Sequence, residues 1–329
     1  MLILNTLCEK DRAPVIFNQE IQRYEFSQPK MGTEFFIKFY TSNDSLATAA
    51  ASAAFARIGE LNEILSDYYS ESEINRLSKK SGNGEFVQIS NDLFQVLSIS
   101  KELCESSESA FDITIGPLTK LWRRAVRQQE LPAPDKIKEA KDRVGCSYLL
   151  LDYENKAAKL LISGMQLDVG GIGKGYALDE AMKVLKSFGI KCALIDGGGD
   201  ILVSNPPPGK AGWEININKG NTFDTLNTTI IIKNKSIATS GDTFRFVELD
   251  GKRYSHIIDP FTGLGNMDQY LVSVIANDGA TADGLASAIS ILGPEKGLSL
   301  IDRYHNASLV VVSKSQLWYS EDLKKYFLK

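Results

Sequence analysis

The stretch from Leu167 to Ala181 carries the densest chemistry of this chain. An apolar, strand-like approach ends in Asp168, four glycines (Gly170, Gly171, Gly173, Gly175) and Lys174, and helix formers follow. Glycine lets backbone N–H and C=O groups approach a ligand with no Cβ in the way, and a helix N-terminus just beyond favours phosphate. Nine of the 26 glycines lie between Gly164 and Gly199, which concentrates the ligand-site expectation here. Two common phosphate loops do not fit. A Walker A loop needs Gly-x4-Gly-Lys-Ser/Thr, but Gly175 follows Lys174 and Asp168 stands in place of the first glycine. The dinucleotide spacing Gly-x-Gly-x-x-Gly fails as well, because Gly171, Gly173 and Gly175 alternate. A tight strand-to-helix turn is the plainer alternative, although it needs fewer glycines.

Two further clusters offer chemistry. In Ala280 to Ala288, Asp283 and Ser287 are four apart and share one face of a helix. A carboxylate and a hydroxyl are hard oxygen donors, which suit Mg²⁺ better than a nitrogen- or sulfur-seeking metal. The plainer reading is an Asp in a helix's first turn, stabilised by the dipole, with Ser287 merely small and buried. The other cluster is Ser236-Ile-Ala-Thr-Ser-Gly-Asp242, followed by Tyr254 to Gly263. The chain has two histidines, His256 and His305. His305 sits in a polar, surface-like Arg303-Tyr-His-Asn306, so His256 is the better acid/base candidate.

These residues need elements to hold them. Residues 1–30 are mostly polar and read as an arm, and 32–40 read as a strand. Ala47, Ala50, Ala54, Ile58, Leu61 and Leu65 recur at helical steps, which predicts a helix from Asp44 to Leu65. A second helix is predicted over 92–104, capped by Ser90 or Asn91. Residues 123–143 are charged and broken by Pro132 and Pro134, so they read as a surface excursion. Strands are predicted at 147–151 and 159–162, which could pair, and at 192–195, 213–217, 229–232, 270–276 and 309–312. Helices are predicted after the glycine turn, ending at Gly189, and over 281–292. The irregular alternation is that of an α/β or α+β body.

Composition sets the broad class. Hydrophobic content of 43% and charged content of 24% over 329 residues are ordinary for a globular protein. A net charge of −4, without a basic stripe, gives no reason to expect nucleic acid. No apolar run approaches the ~20 residues that span a bilayer. The first residues lack a basic n-region, and the residues before Cys8 match a lipoprotein box poorly. The expectation is a cytoplasmic protein or a chain without its leader. Cys8, Cys104, Cys146 and Cys192 form no Cys-x-x-Cys pair and no metal spacing, and are expected to be reduced structural thiols.

Taken in order, the clusters resemble the FAD:protein FMN transferase family, the ApbE flavin transferases. The likeness runs through Met31-Gly-Thr33, Ser66-Asp-Tyr68, Phe111-Asp-Ile-Thr-Ile-Gly-Pro-Leu118, Leu167 to Ala181, Asp196-Gly-Gly-Gly-Asp200, Ile237 to Asp242, His256 to Gly263, and Thr281 to Ala288. The resemblance implies a two-lobed α+β domain over 31–329 with FAD between the lobes. It implies that Asp283, Ser287 and the Gly171 carbonyl hold Mg²⁺. Asp168 and Lys174 would contact the flavin nucleotide, and Met31, Tyr68, Ala110, Phe111, Asp112 and Ile257 would complete its wall. His256 would act as base, with Asp242 in reserve. Ser287 stands where the family commonly has Thr, and Phe261 where Arg is frequent.

The implied reaction moves FMN from FAD to a Ser or Thr hydroxyl of an acceptor protein and releases AMP. A redox-pump or reductase subunit is the kind of acceptor implied, and family members mostly work in the cell envelope. Two alternatives stay open: Mg²⁺-dependent FAD pyrophosphate hydrolysis, and a non-catalytic FAD-binding module.

Overall fold

The computed structural model describes residues 20–217, 228–241, 246–314 and 316–327. Phe35, Ile37 and Phe39 alternate along their strand and are fully buried, as a period of two requires when one face meets a core. In chain order the elements begin with β1 (Gln22–Lys30), β2 (Thr33–Thr41), α1 (Asp44–Leu65), α2 (Glu73–Ser78), β3 (Val87–Gln88) and α3 (Asn91–Ser106). Next come α4 (Gly116–Gln128), α5 (Pro134–Lys141), β4 (Leu149–Asp152), β5 (Ala157–Leu160), α6 (Gly173–Ser187), β6 (Ala193–Gly197) and β7 (Ile201–Val203). The chain continues through β8 (Trp213–Ile217), β9 (Thr228–Ile232), β10 (Lys235–Gly241), β11 (Phe246–Leu249), β12 (Lys252–Ser255) and β13 (Leu271–Ala276). It closes with α7 (Gly279–Ile301), β14 (Ser308–Val312) and β15 (Leu317–Tyr319).

An eight-stranded sheet in the order β1-β2-β6-β7-β10-β13-β14-β15 is the frame, and each of its pairs is antiparallel. This is α+β architecture. Buried residues of α1, α6 and α7 form the main core with one sheet face. Trp213, Ile215, Ile217, Ile230 and Ile232 of the β8–β9 pair cover the other. Sandwiched this way, β13 is buried at all six positions, which is why it reads as a continuous apolar run. A third, smaller core joins Leu118, Trp122 and Ala125 of α4 to Leu249 and Tyr254 of the β11–β12 hairpin.

Several expectations change. Residues 22–30 are not an arm: β1 pairs with β2 over nine residues. An edge strand with one wet face needs few apolar residues, and Tyr24 and Phe26 suffice by packing on Phe39. Residues 123–143 lie mostly at the surface, as expected, but they are helical rather than irregular. They hold the end of α4 and all of α5, and Trp122 and Ala125 continue a buried stripe from Leu118.

The expectation of reduced cysteines fails for one pair, because Cys104 and Cys146 form a disulfide with Cα atoms 6.5 Å apart. They are separated by 42 residues, and only the fold brings the end of α3 beside the loop at 146. Cys192 is free, its thiol pushed up to about 11 by burial. Cys8 lies outside the described residues.

Candidate active site between the glycine turn and helix α7

A helix follows the glycine turn as the sequence suggests, beginning already at Gly173, whereas the approach carries only a single bridge at Gln166 instead of a strand; the glycines answer to steric need. Asp168 N–H donates to the Ile113 carbonyl at 2.8 Å, so the approach runs beside the 111–115 segment. A methyl at Gly171 would come within 2.8 Å of Ser287 Oγ and 3.3 Å of Phe111. A methyl at Gly175 would stand 2.1 Å from the Gly279 carbonyl oxygen. Two of the four glycines are thus explained by the close approach of the turn to α7.

Asp283 is buried, 6% exposed. It occupies the second turn of α7, not the first, and the N-cap is Asp278, whose side chain accepts from Thr281 N–H. The dipole-stabilised first-turn reading of Asp283 therefore does not apply. Its Oδ2 accepts the Gly175 N–H at 3.1 Å and lies 3.9 Å from Lys174 Nζ. Burial pushes this carboxyl up, the Lys174 charge opposes that, and the nearby Asp200 charge adds to it. Lys174, in the first turn of α6, also pairs with Asp200. Asp200 is itself held by Thr239 N–H at 3.2 Å. One ammonium therefore ties the glycine turn to Asp200 and to Asp283 of α7, and Asp200 carries the link on to β10 through Thr239 N–H.

Met31 and Gly32 form the two-residue turn between β1 and β2, with φ of 48° and 76°. Positive φ at both positions belongs to the hairpin turn that matches strand twist, and it is uncommon for Met. The Met31 methyl would lie 3.9 Å from a methyl at Gly173, over the start of α6. Ala110 and Phe111 are buried, Phe111 against Gly171. Asp112 is buried and held by three hydrogen bonds. It accepts from Thr114 N–H and Oγ1 at 2.8 and 2.7 Å and from Cys146 N–H at 2.9 Å. Burial pushes its carboxyl up.

Tyr68 sits in the loop after α1, which Asn75 fixes by donating to the carbonyls of Ser66, Asp67 and Tyr69. The ring is 79% exposed and carries the Arg123 guanidinium 4.1 Å from its centroid. Arg123 pairs with Asp67 and lies 3.6 Å from Asp168 Oδ2. His256 and Ile257 stand on a different element, the turn after β12. That turn is closed by Ser255 N–H to Asn266 O at 2.8 Å and Asn266 N–H to Ile257 O at 2.7 Å. His256 is exposed there. Asp242 lies outside the described residues. Asp200 and Arg123 were not singled out from the sequence as site residues. The Asp196 to Asp200 motif could have signalled the first, and no local pattern signals the second.

The ApbE family pattern matches residues 31–311. The chain belongs to the ApbE family. Among its relatives, an FAD:protein FMN transferase of Vibrio cholerae is 29% identical over 94% of this chain and 91% of its own length. One from Buchnera aphidicola is 31% identical, over 83% of this chain and 82% of its own. The flavin transferase ApbE structure from Vibrio cholerae superposes with a TM-score of 0.84 at 25% identity, covering 94% of this chain and all of that one. The ApbE protein of Thermotoga maritima gives 0.82 at 28% identity, with 94% and complete coverage. The ApbE family member is thus a transferase with the expected α+β fold.

Proposed function

We propose that this protein transfers FMN from FAD to a Ser or Thr hydroxyl of an acceptor protein and releases AMP. The observation that carries the reading is the packing of α7 on the glycine turn, with Ser287 against Gly171 and the buried Asp283 one turn earlier accepting the Gly175 N–H, inside a chain that matches the family from residue 31 to 311. Carboxylate, hydroxyl and peptide carbonyl are hard oxygen donors suited to Mg²⁺. A buried carboxyl pushed up by its surroundings also favours a cation nearby. The residues therefore fit the metal. When bound, Mg²⁺ would neutralise charge on the pyrophosphate.

In the transfer, the acceptor oxygen forms a bond to the FMN phosphorus, the P–O bond to AMP breaks, and the hydroxyl proton leaves to a base. His256, exposed beyond β12, is the proposed base, with Asp242 as reserve. Lys174 supplies positive charge at the α6 N-terminus, where phosphate oxygens are favoured. Asp168, Met31, Tyr68, Ala110, Phe111 and Ile257 are proposed flavin-nucleotide contacts, whereas the Asp112 carboxylate serves the wall by fixing its shape. Phosphoryl transfer depends mainly on such positioning and charge stabilisation.

The test incubates the protein with FAD, Mg²⁺ and an acceptor carrying a Ser/Thr flavinylation motif. In-gel flavin fluorescence that survives denaturation, with AMP in equal amount, is the expected result. AMP without labelled acceptor would point to hydrolysis, and neither product would leave only a binding role.

A further inference from the structure

Arg123 joins two parts of the site that belong to different segments of chain. From α4 its guanidinium lies over the Tyr68 ring at 4.1 Å, pairs with Asp67, and reaches to 3.6 Å from Asp168 Oδ2. The other Asp168 oxygen accepts Gly170 N–H at 2.8 Å, so the contact continues into the glycine turn. Asp67 and Asp168 are both mostly buried, and two carboxylates so placed repel unless a cation stands between them. A guanidinium can do this while lying flat on an aromatic ring, because it is planar and presents several donors at once.

Tyr68 is unusual for what it does not do. It is 79% exposed, yet its loop is fixed by three hydrogen bonds from the buried Asn75. A ring held this firmly on one side and open on the other is prepared to meet a second flat surface. We infer that Arg123 is a positioning residue for the flavin nucleotide: it backs Tyr68 and couples it to Asp168, so that the open face of the ring stacks on a planar ring of FAD. This rests on the placement of Tyr68 at the dinucleotide.

The test measures FAD dissociation constants in Mg²⁺ by flavin fluorescence titration, together with kcat by AMP release in the presence of acceptor. It uses Tyr68→Ala, Arg123→Ala, Arg123→Lys and the Tyr68→Ala/Arg123→Ala double variant. Each single alanine should raise Kd about tenfold, or about 1.4 kcal/mol, and Arg123→Ala, which touches no reacting atom, should show its effect in Kd rather than in kcat at saturating FAD. Because Arg123 acts through Tyr68, the double variant should match Tyr68→Ala within about twofold rather than multiply the two effects. Arg123→Lys keeps a positive charge between Asp67 and Asp168 but lacks the planar group. It should fold and still raise Kd, which keeps the inference testable if Arg123→Ala does not fold. Multiplying effects, or a Lys variant with unchanged Kd, would overturn the role of Arg123 while leaving the site intact. An unchanged Kd in Tyr68→Ala would instead remove Tyr68 from the dinucleotide site, and the inference with it.

Discussion

Asp283 performs two tasks that a single alanine would confuse. Its carboxylate faces Lys174, and its Oδ2 accepts the buried Gly175 N–H. Alanine would leave that N–H unpaired, at a cost of about 1–3 kcal/mol. Asparagine retains an acceptor and removes the charge. Asp283→Asn should keep its circular dichroism spectrum and lose at least about a hundredfold in AMP release, the upper end of what disturbing a metal site's supporting partners costs. Activity within tenfold of wild type would take Asp283 out of the proposed metal corner. The shared helix face of Asp283 and Ser287 was legible in the sequence from spacing, whereas the metal role proposed for them came from the family resemblance. Arg123 was not legible. Its partner Asp67 is 56 residues away, and nothing local distinguishes a bridging arginine from a solvated one beside a proline-rich break.

Helices α6 and α7 touch through glycine. Methyls at Gly175 and Gly279 would lie 2.1 and 2.3 Å from backbone carbonyl oxygens of the opposite helix, atoms that cannot rotate aside. Gly175→Ala should therefore cost at least about 3 kcal/mol, the upper range for overpacking, read as a lower urea midpoint with unchanged m-value. The same contact contains a titrating group. Asp179 of α6 accepts the N–H groups of Gly279 and Ala280 at 2.7 and 2.9 Å, yet burial pushes it from 3.8 up to about 7. Between those values the folded chain holds a proton that the unfolded chain releases. The Asp179 contribution to stability therefore falls as pH rises through this window, and the full cost is present above it. Asp179→Asn should flatten the decline in urea midpoint between pH 4 and 7.5, and an unaltered slope would reject the assignment. Element boundaries were legible where one side of an element is buried throughout, as in α1, whose predicted and observed bounds coincide. They were lost where tertiary pairing outweighs composition, as in the polar edge strand β1 and in α5 with its single buried residue, Ala140.

The described residues form three apolar cores, and the disulfide joins Cys104, next to Leu103 of the main one, to Cys146, two residues past Val144 at the edge of the smallest. The bond closes a long loop, and chain entropy puts its stabilisation at about 4 kcal/mol. Cys104→Ser should lower the unfolding midpoint, and wild-type protein in strong reductant should follow it. Equal midpoints with and without reductant would exclude a structural role. The family was legible from eight short motifs in order, because a ligand site constrains letters more tightly than a core does. The disulfide was not, since its spacing follows no motif.

That bond also makes residues 104–146 a covalent ring threaded with α4 and α5. Arg127 to Glu130 are exposed within it, at the end of α4. A trypsin cut after Arg127 would open the ring without parting the chain. The nicked protein should run as one band on a non-reducing gel and as two after reduction. A cleavage here severs the backbone between Trp122 and α5 but not the link between the two halves of the molecule.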